Sequence, residues 1–258
     1  MNTTKKSGNT VAIITMFFIF AMIAFVTNMA APFGTIWGYK YEWAGMMGNM
    51  MNFAAYFFMG IPAGRMLTTV GYKRTALIAL AIGFIGLVVQ YLSSIVGANI
   101  ALFDVNGQAV ALNLIIYLLG AFICGFCVCM LNTVVNPMLN ILGGGGNKGN
   151  QLVQTGGSLN SLTGTLTPLL VGVLVGTVTS QTSMSNVAPL LFIGMAVFAL
   201  AFFIISFVNV PEPALHRARS GHTRYEHSAW NFRHFVLGAI AIFFYVGLEV
   251  GIPNEMLF

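Results

Sequence analysis

The chain has 258 residues, of which 57% are hydrophobic and only 7% are charged. A soluble globular domain carries roughly a quarter of charged residues, so this composition excludes the soluble classes and indicates a membrane protein. The formal net charge of +5 is less informative than the places where the basic residues fall.

Seven stretches are predicted as membrane spans, because a spanning helix needs about 20 mostly apolar residues. They are residues 10–37, 44–67, 75–97, 110–142, 151–178, 188–210 and 233–258. The first is too long for a signal-peptide core and lacks a cleavage pattern, so we interpret it as an uncleaved span. The connections are short except for 211–232, which is polar and basic.

The basic residues predict the orientation of the spans. If every span crosses the membrane, ten of the eleven lie on one side and only Lys40 lies on the other. The ten are Lys5, Lys6, Arg65, Lys73, Arg74, Lys148, Arg217, Arg219, Arg224 and Arg233. Because cytoplasmic loops carry the excess of Lys and Arg, the pattern predicts an N-terminus on the cytoplasmic side.

The order of the spans predicts three segments. Residues 1–210 are expected to form a six-helix bundle, 211–232 a cytoplasmic loop, and 233–258 the first helix of a second, incomplete bundle. Six spans, a linker and one further span indicate a chain cut from a longer protein.

Carboxylates are absent from the first six predicted spans. The acidic residues are Glu42 and Asp104 in outside loops, Glu212 and Glu226 in the linker, and Glu249 and Glu255 in span seven. Proton coupling through a carboxylate of the first six spans is therefore excluded. Ionisable groups inside a membrane are functional candidates by default, which directs attention to Glu249.

Span four carries amide side chains and no carboxylates. The stretch CMLNTVVNPMLN (129–140) puts Asn132, Asn136 and Asn140 at i, i+4 and i+8, on one face of a helix. Pro137 removes the backbone donor that would bond the carbonyl of Thr133.

Spans one and seven each carry a polar residue four positions before a proline. The pairs are Asn28 with Pro32 and Glu249 with Pro253. Broken helices with freed carbonyls, in corresponding places of two bundles, indicate a transporter site. The alternative is that these prolines only kink their helices.

Span five has two faces of polar or small residues. One face holds Gln154, Gly157, Ser158 and Ser161, and the other holds Asn160, Thr163, Gly164 and Thr167. Such a helix suits a cavity wall, and it equally suits contact between helices through small and hydroxyl residues. We also interpret the pairs Gly60 with Gly64 and Gly172 with Gly176 as helix-contact motifs.

Three motifs do not support other functions. The cysteines at 124, 127 and 129 lie in an apolar helix without a nearby histidine, which favours a core position over zinc. GGGGNKGN (143–150) lacks the Ser or Thr of a phosphate loop and is predicted to be a turn. The linker histidines 216, 222 and 227 are expected to be solvated. No nucleophile–base pair lies in the membrane, so we expect no enzyme, cofactor, metal or nucleic-acid partner.

The segment GIPAGRMLTTVGYKR (60–74) resembles the loop signature of the major facilitator superfamily, with Thr68 in place of its usual acid. Together with YFFMGIPAG (56–64), LNTVVNPMLNILG (131–143), QTGGSLNSLTG (154–164) and FFYVGLEVG (243–251), the chain resembles the fucose, glucose and galactose permeases of that superfamily. The resemblance covers nearly the whole chain.

This resemblance implies an all-α, twelve-span transporter of two six-helix bundles in the cytoplasmic (inner) membrane of a bacterium. Spans one, four and seven would line the cavity, and alternating access would carry a glucose-, galactose- or fucose-type sugar. The expected sugar-binding residues are Asn28, Asn132, Asn136, Gln154, Asn160, Glu249 and Asn254. The expected gating loop contains Gly64, Arg65, Gly71, Lys73 and Arg74.

Two positions depart from the proton-coupled relatives, which carry acids in spans one and four where this chain has Asn28 and Asn132. Asparagine bonds sugar hydroxyls but cannot carry a proton. Glu249 is therefore the expected coupling residue, unless it is a structural group paired with a donor. Uniport and coupling to a proton or to sodium remain open. A membrane sugar sensor or assembly partner on the same fold is the alternative function.

Overall fold

The computed structural model describes the backbone of residues 3–105, 107–212 and 229–255, with side chains for 10–105, 107–212 and 230–248. The α-helices within these ranges are α1 (Thr3–Lys40), α2 (Met47–Thr69), α3 (Tyr72–Ile95), α4 (Leu112–Leu142), α5 (Gly146–Val175), α6 (Ala188–Phe207) and α7 (Arg233–Glu255). Each predicted span therefore corresponds to a helix. The chain divides into two units, Met1–Leu215 and His216–Phe258, so α1 to α6 form the first unit and α7 lies in the second.

Five of the described helices are long and apolar enough to cross a membrane, namely α1, α3, α4, α5 and α6. Helix α2 has 23 residues but is not among the five, because Asn49, Asn52 and Arg65 make it more polar. In α7, the apolar part that the structure describes, Arg233–Leu248, is shorter than a span. The all-α membrane fold is confirmed, and α2 is more polar than the other helices of the first unit that were predicted as spans.

Helix α4 forms the centre of the first unit. It packs against α1, α2, α3 and α5, while α6 packs mainly against α3. Glycines let α4 approach its neighbours closely. A Cβ on Gly86 of α3 would meet the backbone nitrogen of Cys124 at 2.9 Å and the carbonyl of Gly120 at 3.1 Å. Small residues of this kind bring membrane helices into backbone contact.

The glycine pairs singled out from the sequence do not have this role. A Cβ on Gly60, Gly64 or Gly172 would meet nothing within 4 Å among the described residues, and the same holds at Gly176. The prediction that these pairs form helix contacts is wrong for the described part of the chain. The i, i+4 spacing identifies a helical face, but it does not say whether another helix lies against it.

The helices continue through their prolines. Pro32 lies inside α1, Pro62 inside α2, Pro137 inside α4 and Pro168 inside α5. The predicted breaks at Pro32 and Pro137 are therefore not observed, since α1 and α4 are each continuous at these prolines. A single missing N–H removes one backbone bond, and contacts with neighbouring helices hold the rest of the helix together.

The connection between α3 and α4 contains a short hairpin that the sequence did not predict. Strand β1 (Ala101–Val105) pairs antiparallel with β2 (Gln108–Ala111). The Tyr41 hydroxyl attaches β2 to the end of α1. It donates to the carbonyl of Ala109 at 3.1 Å and accepts from the N–H of Ala111 at 3.0 Å.

The glycine-rich segment after α4 is a turn at 143–145, as predicted, but the rest of it, from Gly146, forms the start of α5. Gly144, Gly145 and Gly146 have φ values of 81°, 74° and 57°, which only glycine adopts readily. The three cysteines are buried and unpaired by disulfides. The sulfurs of Cys124 and Cys127 lie where Cβ atoms on Gly86 and Gly83 of α3 would fall, which is a core position as predicted.

Candidate functional site

Asn132 of α4 forms the central polar contact of the candidate site. Its Nδ2 donates to the hydroxyl of Tyr56 on α2 at 2.9 Å. Both side chains are half-buried. The bond leaves the amide oxygen of Asn132 and the phenolic proton of Tyr56 available, so the pair presents one acceptor and one donor. This combination matches a sugar hydroxyl group, which both donates and accepts.

Asn136 and Asn140 continue the asparagine face of α4. The Asn136 Nδ2 donates to the backbone carbonyl of Asn132 at 3.1 Å, and its own amide oxygen remains an available acceptor. Asn140 lies at the end of the helix, where its Nδ2 donates to Oδ1 of Asn150 on α5 at 3.0 Å. The face therefore divides into an inner part, at Asn132 and Asn136, and an end that fixes the turn to α5.

Asn28 lies in a different seam, between α1 and α5. Its Nδ2 donates to the carbonyl of Ala24 at 2.8 Å, and the same nitrogen is 3.0 Å from the position a Cβ on Gly164 would take. No hydrogen bond joins Asn28 to Asn132 within the described residues. Asn28 and Asn132 thus contact different helices, α5 and α2.

The two faces of α5 have different surroundings, and helix contact, one of the two alternatives, applies to only one of them. Gln154, Ser158 and Ser161 are exposed. On the other face, Asn160, Thr163 and Gly164 are half-buried and Thr167 is 1% exposed. Gly164 contacts Asn28 of α1. One face of α5 therefore packs against α1, and the other is open to a cavity or to a further part of the protein.

The open face of α5 forms a wide depression of about 690 Å³. It is lined by six residues with amide or hydroxyl side chains, namely Asn147, Asn150, Gln151, Gln154, Thr155 and Ser158. A span surface without apolar side chains is unsuited to lipid. This depression extends the predicted site from Gln154 towards the start of the helix.

The last two predicted binding residues, Glu249 and Asn254, belong to helix α7 (Arg233–Glu255). Their side chains lie outside the described residues. They therefore remain predictions from the sequence.

The predicted gating loop contains a clamp between α3 and the segment after α6. The carboxylate of Glu212 accepts the N–H of Tyr72 at 2.6 Å and the N–H of Lys73 at 2.8 Å. In return, the Lys73 Nζ donates to the carbonyls of Ser206 and Val208 at 2.8 and 2.9 Å. An acid thus caps the start of α3 and a cation caps the end of α6, as the helix dipoles favour.

Gly71 makes this clamp possible. Its φ is 94°, in the region that favours glycine, and a Cβ there would overlap the Glu212 carboxylate. The other residues of the predicted gating loop make fewer contacts. Arg65 and Arg74 are exposed, Gly64 has open space beside it, and the Arg65 carbonyl accepts the hydroxyls of Thr68 and Thr69.

Removing the carboxylate should loosen the clamp. Glu212→Ala is expected to lower the free energy of unfolding by about 0.5–2 kcal/mol, the usual effect of losing a helix N-cap. The measurement is thermal unfolding in detergent. Glu42→Ala, at an exposed acid on the other side of the bundle, is the matched control and should change little. Equal melting temperatures for the two variants would contradict the capping role.

Tyr56, Gly164 and Glu212 make contacts at these sites that are not among the predicted ones. Tyr56 could have been suspected, since a tyrosine hydroxyl in an apolar helix usually needs a partner. Glu212 follows a span end by only a few residues, which is a signal for a cap. For Gly164, its place on the polar face of α5 was noted, but its neighbour on α1 required the three-dimensional arrangement.

The long apolar helices define an α-helical, multi-pass membrane protein. Over 249 residues, or 93% of this chain, the sequence is 28% identical to a protein named glucose/galactose transporter from Brucella abortus biovar 1 (strain 9-941), of which it covers 55%. Over 268 residues, or 97% of this chain, it is 28% identical to a putative glucose/galactose transporter from Helicobacter pylori (strain ATCC 700392 / 26695), of which it covers 60%.

No protein-family model matches the chain. The similarity to named glucose/galactose transporters extends over nearly the whole chain, which confirms the resemblance to sugar permeases of the major facilitator type. The chain spans somewhat more than half the length of these curated relatives.

Proposed function

We propose that this chain belongs to a transporter that moves a hexose or deoxyhexose of the glucose, galactose or fucose type across a membrane by alternating access. The observation that carries the proposal is the similarity to glucose/galactose transporters along 93% of the chain. The polar seams give it a chemical basis, since they supply amide and hydroxyl groups where lipid-facing residues would otherwise be expected.

The proposed site combines amides with one phenol. Asn132 and Tyr56 offer a paired acceptor and donor, Asn136 adds an acceptor, and Gln154 and Asn160 lie on α5. Amides donate and accept at once, and sugar hydroxyls require that combination. Asn28, Glu249 and Asn254 complete the proposed set from α1 and α7.

Ligand-dependent stabilisation tests the proposed substrate class. A sugar that binds only the folded protein raises its stability by RT ln(1 + [L]/Kd). We expect glucose, galactose or fucose to raise the melting temperature in a saturable way, while the open-chain alcohol mannitol has no effect. Equal shifts for the sugars and mannitol would indicate a solvent effect and would contradict a sugar site.

The proposed coupling residue is Glu249. Helices α1 to α6 contain no Asp or Glu, so a proton carried on a carboxylate needs a group elsewhere, and an acid within a membrane helix is a functional candidate by default. Glu249→Gln is expected to abolish sugar accumulation driven by a proton gradient while sparing sugar exchange. Accumulation that survives in the variant would assign the coupled proton to another group and contradict this role of Glu249.

We propose six helices in a bundle over residues 1–210, a cytoplasmic loop at 211–232 and the start of a second bundle at 233. The basic residues support an N-terminus inside a bacterial inner membrane. In the gating loop, Gly71 and Lys73 would act through the Glu212 clamp, and Gly64, Arg65 and Arg74 would act at the exposed cytoplasmic surface.

A further inference from the structure

A small void lies inside the first unit, and none of the proposed sugar-binding residues lines it. Its lining comes from α1, α2, α3 and α4 and consists of Val26, Met29, Ala30, Phe33, Asn52, Leu87, Gln90, Tyr117, Ala121 and Cys124. Every one of these residues is buried. The volume that the centre of a water molecule could occupy in the void is about 10 Å³. This is room for about one water molecule.

Three polar side chains from three different helices line this void. Asn52 of α2 is 8% exposed, Gln90 of α3 is 6% exposed and Tyr117 of α4 is 1% exposed. Their positions on separate helices mean that one small molecule in the void would reach α2, α3 and α4 together. The remaining lining is apolar apart from the thiol of Cys124.

The polar groups around the void do not satisfy all of one another's hydrogen bonds, as Asn52 illustrates. Its Oδ1 is buried and has no hydrogen-bond partner among the described residues. Gln90 has a recorded contact from its Nε2 to the Cys124 sulfur at 3.6 Å, and thiol sulfur is a weak acceptor. A buried acceptor without a partner costs about 1–3 kcal/mol, so a small donor in this void would stabilise the bundle.

From this geometry we propose that one ordered water molecule binds in the void and bridges Asn52, Gln90 and Tyr117. Buried waters typically make 2 to 4 bonds, about the number of partners available here. A cation fits less well, because α1 to α6 contain no carboxylate to balance a charge and an unpaired buried charge is costly. An apolar guest would leave the Asn52 oxygen unsatisfied.

Radiolytic footprinting of the intact protein in lipid nanodiscs tests the proposal, because hydroxyl radicals formed from a bound water oxidise its immediate neighbours. Met29 and Cys124 line the void, while Met130 and Cys127 are equally buried, at 0–1% exposure, but do not line it. We expect Met29 to be oxidised several-fold faster than Met130, and Cys124 several-fold faster than Cys127. Equal rates within both pairs would overturn the water site.

Two further measurements make the result specific. Asn52→Leu should reduce oxidation of Met29 and Cys124 to the rates of their partners, and Gln90→Met serves the same purpose if the first variant does not fold. Unchanged rates in a folded variant would overturn the assignment of these ligands. Replacing choline by sodium at equal ionic strength should leave the oxidation rates of Met29 and Cys124 unchanged. Slower oxidation of these residues in sodium would identify a bound cation and overturn the proposal of a water molecule.

Discussion

Asn132→Leu is expected to lose most of its sugar uptake while its insertion into the membrane and its melting temperature stay close to those of the parent. Leucine has a similar volume, but it removes both the bond to Tyr56 and the acceptor proposed for the sugar. A sugar hydroxyl that is buried on binding and left without its partner costs about 1–3 kcal/mol, which corresponds to about 5- to 150-fold in affinity. The measurement is the concentration dependence of labelled-sugar uptake.

Asn140→Leu provides the matched control. The residue has the same type, the same helix and the same face, but its amide bonds Asn150 at the turn instead of Tyr56. Near-normal uptake in Asn140→Leu together with a strong defect in Asn132→Leu would support the site. Equal uptake in the two variants would contradict the assignment of Asn132 to sugar binding.

Gly86→Leu is expected to destabilise the first bundle strongly. Any side chain there begins 2.9 Å from the Cys124 nitrogen and 3.1 Å from the Gly120 carbonyl. These are backbone atoms, so α3 and α4 would have to separate. Inserting extra atoms into a well-packed core typically costs about 1–3 kcal/mol, occasionally more, and contact with backbone places this change at the upper end.

The three buried cysteines supply the readout for this variant, because a thiol-reactive dye reports their exposure during heating. Gly60→Leu is the control, since a Cβ on Gly60 meets nothing within 4 Å among the described residues. Both changes gain the same helix propensity over glycine. We expect a large drop in melting temperature for Gly86→Leu alone. Similar curves for both variants would contradict the close contact between α3 and α4.

The helices could be predicted from the sequence because a membrane imposes a simple condition, about 20 apolar residues for each span. The predicted start of span four at residue 110 differs from the start of α4 (Leu112–Leu142) by two positions. The hairpin between α3 and α4 escaped prediction because its strands have only five and four residues. A segment that short has too little periodicity to identify a strand.

The candidate site was only partly predictable. The spacing of Asn132 and Asn136 predicts that they share one face of α4, because residues four positions apart lie on the same side of a helix. The partner of Asn132, Tyr56, lies 76 positions away in the sequence, and no local pattern joins them. For the same reason, the sequence identified glycine pairs on exposed faces, while the contact between Gly86 and Gly120 depends on which faces of α3 and α4 meet.

Uptake of labelled glucose, galactose and fucose by the intact protein in liposomes is the most direct test of the proposed sugar transport. Parallel samples carry an imposed proton gradient, an imposed sodium gradient or none. We expect saturable uptake of at least one of the three sugars, which the unlabelled sugar competes for and which Asn132→Leu reduces. No uptake above protein-free liposomes for any of the three sugars, under any gradient, would contradict it.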